Sequence, residues 1–207
     1  SFFKKQQTAY NTYNSIELSL NQFFFIKNLF KNYFFLQCIM LTEIEENNVK
    51  EVYEKIASHF NNTRVYKWTW VNEFLDNLKN NSLVYDIGCG NGRNMNHNKN
   101  NLTFIGLDNC NNFIDICNNK KLNVVNANIT NIPFKSNSAD AIMCIAVLHH
   151  LSNPQNRLTS LLELKRVIKP RGEILLSVWS INQPAKTRRT FNSYGNNIVL
   201  WNNSGKI

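Results

Sequence analysis

Two kinds of apolar spacing divide this chain. From Glu43 onward Val49, Val52, Tyr53, Ile56 and Ala57 recur at helical intervals, and Val71, Phe74, Leu75 and Leu78 repeat the arrangement. The spacing predicts two amphipathic helices joined by HFNNTRVYKW. Short apolar runs bounded by Gly, Asn and Pro follow: Leu83 to Ile87, Leu102 to Leu107, Leu122 to Ala127, Ala139 to Val147, and Glu173 to Val178. Strands that read as continuous apolar runs and alternate with helical or polar segments predict a mostly parallel sheet covered on both faces, an α/β fold.

The ends lack this patterning. Residues 1–41 are rich in Phe, Asn, Tyr and Lys and are expected to be an N-terminal extension outside the fold. Within them Phe23 to Leu41 is apolar, but Lys27, Asn28, Lys31 and Asn32 interrupt it, so an interfacial or poorly ordered helix is expected and no membrane partner. Met40 precedes the first patterned segment and is a candidate start of translation. Residues 42–180 are expected to form the domain, and 181–207 a C-terminal tail that leaves the sheet without its last strands.

At 207 residues the length suits one core. Asn is far above its usual frequency, so isolated Asn clusters read first as loops. The five cysteines show neither CxxC spacing nor a secreted framework, which gives no metal site and a reducing compartment, the cytoplasm with the nucleus as an addition. A net charge of +9 favours a polyanionic partner, with scattered solvated lysine as the competing explanation.

The chemistry concentrates after the first strand. There Val84, Tyr85, Asp86 and Ile87 lead into Gly88, Cys89, Gly90, Asn91 and Gly92, an acid followed by GxGxG at a strand-to-helix turn. In a doubly wound sheet this turn lies at the carboxyl edge where ligands bind. Glycines there let the backbone approach a ligand without a Cβ and leave N–H groups to donate. The spacing differs from the dinucleotide GxGxxG, and the preceding acid favours S-adenosylmethionine over NAD. About 20 residues on, the second strand ends at Asp108 and Asn109, a carboxylate placed for both ribose hydroxyls. After the third strand, Asn128 is placed to hydrogen-bond the adenine amino group and Ile129 to pack on the ring, although loop asparagines are common here. The fourth strand runs out through Ala146 into His149 and His150, where a histidine either meets the acceptor or bonds a loop.

With these motifs in place the chain resembles the class I methyltransferases and, within them, is similar to the eukaryotic tRNA wobble-uridine carboxyl methyltransferases, which esterify 5-carboxymethyluridine. The resemblance runs from about Val49 to Gln183 and rests on VYEKIASHFNNTRVYKW, YDIGCGNGRN, GLDNCNNFIDIC, ANITNIPFKSNSADAIMCIAVLHHL and ELKRVIKPRGEILLSVWSINQ. The first and last narrow the family. The resemblance implies a Rossmann-like sheet, S-adenosylmethionine as cofactor, tRNA as partner, and a small zinc-binding activator subunit. It implies that Tyr53 and Arg64 close over the cofactor or the base, that Asp86, Gly88, Gly90 and Gly92 hold the methionine end, that Asp108 holds the ribose, and that Asn128 and Ile129 flank adenine. Asn91, Asn109 and Ala146 complete the expected cofactor site, and Arg64 and His150 are the residues expected to orient the acceptor carboxylate. Lys186, Arg188 and Arg189 are candidate phosphate contacts. The family more often has an acid at Asn128 and PGG where this chain has Pro170, Arg171 and Gly172. A small-molecule methyltransferase, as in quinone biosynthesis, and a truncated non-catalytic module are the alternatives.

Overall fold

The computed structural model describes residues 43–182 and Asn197. Five parallel strands, β1 (Leu83–Ile87), β2 (Thr103–Asp108), β3 (Val124–Asn126), β4 (Ala139–Ile145) and β5 (Ile168–Ser177), form one sheet in the order β3-β2-β1-β4-β5. β1 lies at the centre and the strand order reverses between it and β4, which puts the two loops leaving their carboxyl ends side by side.

The continuous apolar runs have a simple cause, because both faces of β1 and β4 are covered. On one face Tyr85, Ile87, Ile142 and Cys144 pack with Leu164 and Val167 of α4 (Pro154–Val167). On the other, Val84, Ala141, Met143 and Ile145 pack with Val71, Leu75 and Leu78, which α2 (Thr69–Asp76) and its C-terminal extension supply. A period of two therefore alternates between two buried faces, with no polar side to show. α3 (Asn111–Asn119) follows β2, and the β1–β2 connection carries only turns. α4 starts by the usual rules: Asn153 Oδ1 accepts from Gln155 N at 2.8 Å and Pro154 occupies the first helical position.

Two boundaries differ from the sequence reading. α1 (Glu51–Thr63) runs to Thr63, so only residues 64–68 join it to α2, not the whole of HFNNTRVYKW. Thr63 Oγ1 donates to His59 O at 2.8 Å, a bond compatible with helix that composition does not announce. β5 begins at Ile168 rather than Glu173, because Pro170, Arg171 and Gly172 form an irregularity within the strand: Ala139 pairs with Ile168 and Ala141 with Glu173. Arg171 takes φ 66° there, the left-handed region where the family pattern has glycine. The expectations for residues 1–41 and for Lys186, Arg188 and Arg189 lie outside the described residues, as does most of the expected C-terminal tail. Among the described residues no helix is long and apolar enough to cross a membrane.

A short helical turn (Glu43–Glu45) and a π-helical stretch (Glu46–Lys50) run into α1 and lie along one side of the sheet's carboxyl edge. Glu45 fastens them. Its buried carboxylate accepts from Ser152 N at 2.7 Å, Ser152 Oγ at 3.0 Å, Asn153 N at 3.3 Å and Asn156 Nδ2 at 3.1 Å, all at the start of α4. Farther along, Glu54 accepts from Asn111 N at 2.6 Å and Asn112 N at 3.0 Å, capping α3 from another helix. Hydrogen bonds to a carboxylate are the stronger kind, and removing it strands buried donors. Glu45→Ala is therefore expected to lower stability by about 2–3 kcal/mol, measured as a shift of the urea midpoint, with Glu45→Gln losing less because one acceptor oxygen stays.

Candidate active site

A cleft of about 960 Å³ opens at the carboxyl edge of the sheet. The loop after β1, the tip of β2, residues 127–129, the loop after β4, and the inner face of α1 enclose it. Of the residues singled out from sequence, Tyr53, Arg64, Gly88, Gly90, Asn91, Asp108, Asn109, Asn128, Ile129, Ala146 and His150 all line it. Asp86 and Gly92 do not.

The glycine loop works differently from the expectation. Its N–H groups are already used: those of Gly88 and Cys89 donate to Leu107 O, at 2.6 and 3.0 Å, and that of Gly90 to Asp108 Oδ2 at 2.8 Å. Gly92 N donates to Cys89 O at 3.0 Å. Nor does the ligand's space require Gly88, since a Cβ there meets Val147 Cγ2 at 2.2 Å, in the neighbouring loop. Gly92 likewise faces Leu122 and Cys117, with a Cβ contact of 2.3 Å to Leu122 Cδ1, so it packs the loop against α3 rather than touching a ligand. At Gly90 a Cβ meets only Phe60, at 3.8 Å, and here the cradle is open.

In place of donors the loop gathers acceptors. Asp86 is buried, and neither of its oxygens has a hydrogen-bond partner among the described residues. Asn91 gives its Nδ2 to Asn61 Oδ1 (3.2 Å) and Arg64 O (3.0 Å), hooking the end of α1 onto the loop; its Oδ1 and that of Asn94 are buried without partners. Burial, with the Asp108 carboxylate nearby, pushes the Asp86 carboxyl up to about 7, while Arg93 and Lys67 pull it back. Four orphaned acceptor atoms on three residues around one loop suit a cationic donor, and sequence spacing pointed only to the acid.

Asp108 accepts from Gly90 N through Oδ2 and from Cys110 N (3.0 Å) through Oδ1. Burial raises its pKa, and the backbone N–H groups of Cys110, Gly90 and Asn109 lower it. A carboxylate has about four lone-pair sites, so it retains capacity for a diol. Asn128 is less free than expected. Its Oδ1 accepts from both Thr130 N (3.0 Å) and Thr130 Oγ1 (2.9 Å), which fills the acceptor an adenine amino group needs and leaves Nδ2 as a donor for a ring nitrogen. Ile129 supplies a buried apolar wall.

On the opposite side Tyr53, Phe60 and Phe113 form an edge-to-face cluster, with centroids 5.1 to 6.0 Å apart. Phe60 and Phe113 went unnoticed in the sequence because each fits an amphipathic helix. Tyr53 Oη lies 3.0 Å from His150 Nε2, and burial lowers the His150 pKa to about 4, so this imidazole is neutral near pH 7. It brings a hydrogen-bonding ring and no charge to the cleft. His149 stacks on Trp179 (4.7 Å, 24°) and accepts from Trp179 N through Nδ1 at 3.4 Å, matching the loop-bonding alternative. Ala146 holds φ 59°, with its N–H donated to Ser177 O at 3.0 Å, a strained conformation at the cleft floor. The Arg64 guanidinium stands 5.8 Å from the Phe60 ring centroid.

A family model described as a methyltransferase domain matches residues 85–176. A tRNA (carboxymethyluridine(34)-5-O)-methyltransferase of Schizosaccharomyces pombe is 38% identical over 156 residues, covering 75% of this chain and 67% of that protein. The Arabidopsis thaliana protein of the same name is 43% identical over 141 residues, 68% of this chain and 35% of that protein. Mouse ALKBH8, so named too, is 39% identical over 148 residues, 72% of this chain and 22% of that protein. The chain thus spans about a fifth to a third of the length of the last two relatives. Among solved structures, an Aquifex aeolicus SAM-dependent methyltransferase aligns with TM-score 0.52 at 22% identity, covering 65% of this chain and 77% of that one. A Haloferax volcanii methyltransferase complex with the Trm112 activator aligns with TM-score 0.50 at 16% identity, covering 60% of this chain and 57% of that one. These two show the fold.

Asp86 makes stability depend on pH. Its folded pKa of about 7 lies above the ordinary value of 3.8, so the folded state holds a proton that the unfolded chain has lost, and stability falls as pH rises from about 4 to about 7. Asp86→Asn is expected to raise the thermal midpoint at pH 8, by an amount corresponding to on the order of 2–4 kcal/mol, and to give a much smaller gain at pH 4. Thermal unfolding across that range measures it.

Proposed function

This chain belongs to the tRNA (carboxymethyluridine(34)-5-O)-methyltransferase family, and on that premise we propose that residues 42–180 methylate the carboxylate of 5-carboxymethyluridine at the tRNA wobble position. The observation that carries the reading is the cleft, in which unpartnered buried acceptors and a ribose-height carboxylate stand opposite an aromatic wall that ends in an arginine. The curated relatives favour this substrate over a quinone-type small molecule.

The residues fit S-adenosylmethionine. Asn91 and Asn94 present acceptors for its ammonium, the buried Asp86 carboxyl acts on it through charge from outside the cleft lining, and Asp108 serves its ribose, with Ile129 and Asn128 Nδ2 for adenine. The bound cofactor supplies a methyl group made electrophilic by its sulfonium. An acceptor carboxylate is ionised at neutral pH, so the chain need not remove a proton, and the neutral His150 agrees with a site built without a general base. What the residues do is position and exclude. Arg64 would pair with the acceptor carboxylate, His150 and Tyr53 would orient it toward the bound cofactor, and the Phe60–Phe113 cluster with Trp179 would keep water out.

The partners proposed are tRNA, held through phosphate contacts, and a small zinc-binding activator subunit, tested by whether the two chains co-purify. The compartment proposed is the cytoplasm, with the nucleus.

Calorimetry on the full chain is expected to show micromolar S-adenosylmethionine binding that Asp108→Ala abolishes and that weakens below pH 7 as Asp86 takes up its proton. Labelled methyl groups are expected to pass to tRNA carrying the carboxymethyl nucleoside and to disappear from product after ribonuclease treatment. Transfer that survives ribonuclease on a small-molecule acceptor would sink the tRNA reading. Arg64→Ala is expected to lower kcat/KM about 100-fold, the scale of a misplaced reactant, with cofactor affinity little changed.

A further inference from the structure

The connection between α1 and α2 is five residues long, and its large side chains face outward: Val65 is 60% exposed, Tyr66 87% and Trp68 42%. A solvated turn of this length has no folding reason to carry three such residues. The loop is nevertheless held firmly. Arg64 N donates to Phe60 O at 2.9 Å, Arg64 O accepts from Asn91 Nδ2, Lys67 Nζ donates to Asn96 O, and Trp68 O accepts from Val71 N at 3.0 Å. The Trp68 ring stacks on Trp70 at 5.3 Å and 11°, and the Arg93 guanidinium lies 4.2 Å from its centroid.

Arg64, Trp68 and Arg93 line the mouth of the cleft, whereas Tyr66 stands outside it on the same loop. Residues 64–68 contain two cations and no acid, and Arg93 adds a third. Burial and the nearness of Arg64 lower the pKa of Arg93, so two guanidinium groups share this mouth. Rigid aromatic surface interleaved with cations is the chemistry that holds unpaired nucleotides, because every base has a π-face and every linkage an anion.

We propose that Tyr66, on the same loop as the Trp68 ring that stacks with Arg93, is a shelf on which the unpaired nucleotide next to the methylated one stacks while Arg93 holds the intervening phosphate. The proposal deepens the tRNA reading and rests on it. It assigns the RNA grip to a loop between two helices, outside the cofactor pocket.

The test measures the affinity of the full chain for a single-stranded RNA of anticodon-loop sequence and for the same RNA as a perfect duplex, alongside cofactor affinity by calorimetry. Tyr66→Ala is expected to weaken single-strand binding about tenfold, Tyr66→Phe to stay within about twofold of the parent, and both to keep the parent's cofactor affinity and thermal midpoint. Equal binding of single strand by Tyr66→Ala and the parent overturns the shelf, as it would if the loop docked a protein, and so does equal affinity for duplex. If the parent methylates tRNA while Tyr66→Ala is unaffected, the shelf alone fails. If the parent neither binds nor methylates RNA yet still binds cofactor, the tRNA reading fails and the shelf with it.

Discussion

One carboxylate ties the site together. Asp108, at the tip of β2, receives the Gly90 N–H with one oxygen and the Cys110 N–H with the other, so the loop after β1 and the start of α3 are set by the same group. The glycine turn has little else to fix it on that side, since the flanking N–H groups go to Leu107 O, also at the end of β2. The cradle is thus a property of two adjacent strands in register, and that register follows from pairs such as Asp86 with Gly106 at the sheet's centre.

That arrangement has an electrostatic cost. With Asp108 held as an acceptor of backbone donors, a second acid two residues before the loop is buried beside it with no hydrogen bond of its own. Such a group is tolerated where function needs it, because burying a carboxylate without a donor is unfavourable. Arg93 and Lys67 offset part of the repulsion from a distance, while their own partial burial lowers their pKa values.

Much of this was legible in the chain. β1 was read at its true ends because a short apolar run between Asn and Gly punctuation permits little else, and the two acids stood out by spacing from the glycines. The signals that failed were of two sorts. Some belonged to partners far away in sequence: Glu45 and Glu54 look like ordinary helix-surface acids, yet each finds its donors about a hundred or sixty residues on. Others were chemically ambiguous. Asn128 was correctly placed in the cleft, but an Asx turn to Thr130 takes its oxygen, and no property of the letter N reports that. Gly92 matched a motif position while its actual neighbour is Leu122, so a fingerprint glycine served packing.

The two acids just named have a joint effect on how the molecule comes apart. Residues 43–63 form the cleft's roof, and their main polar fastenings are a carboxylate seated on the first turn of α4 and another seated on the first turn of α3. Neither strand pairing nor the two-faced core of β1 and β4 passes through this segment. The roof is thus fastened apart from the strand pairing, and its amides are expected to exchange with solvent at a lower free energy than those of the central strands. Those two carboxylates act beside the apolar packing of Tyr53, Ala57 and Phe60 on Phe113, so the roof is held to the helices below it by charge at their starts and by burial along their sides.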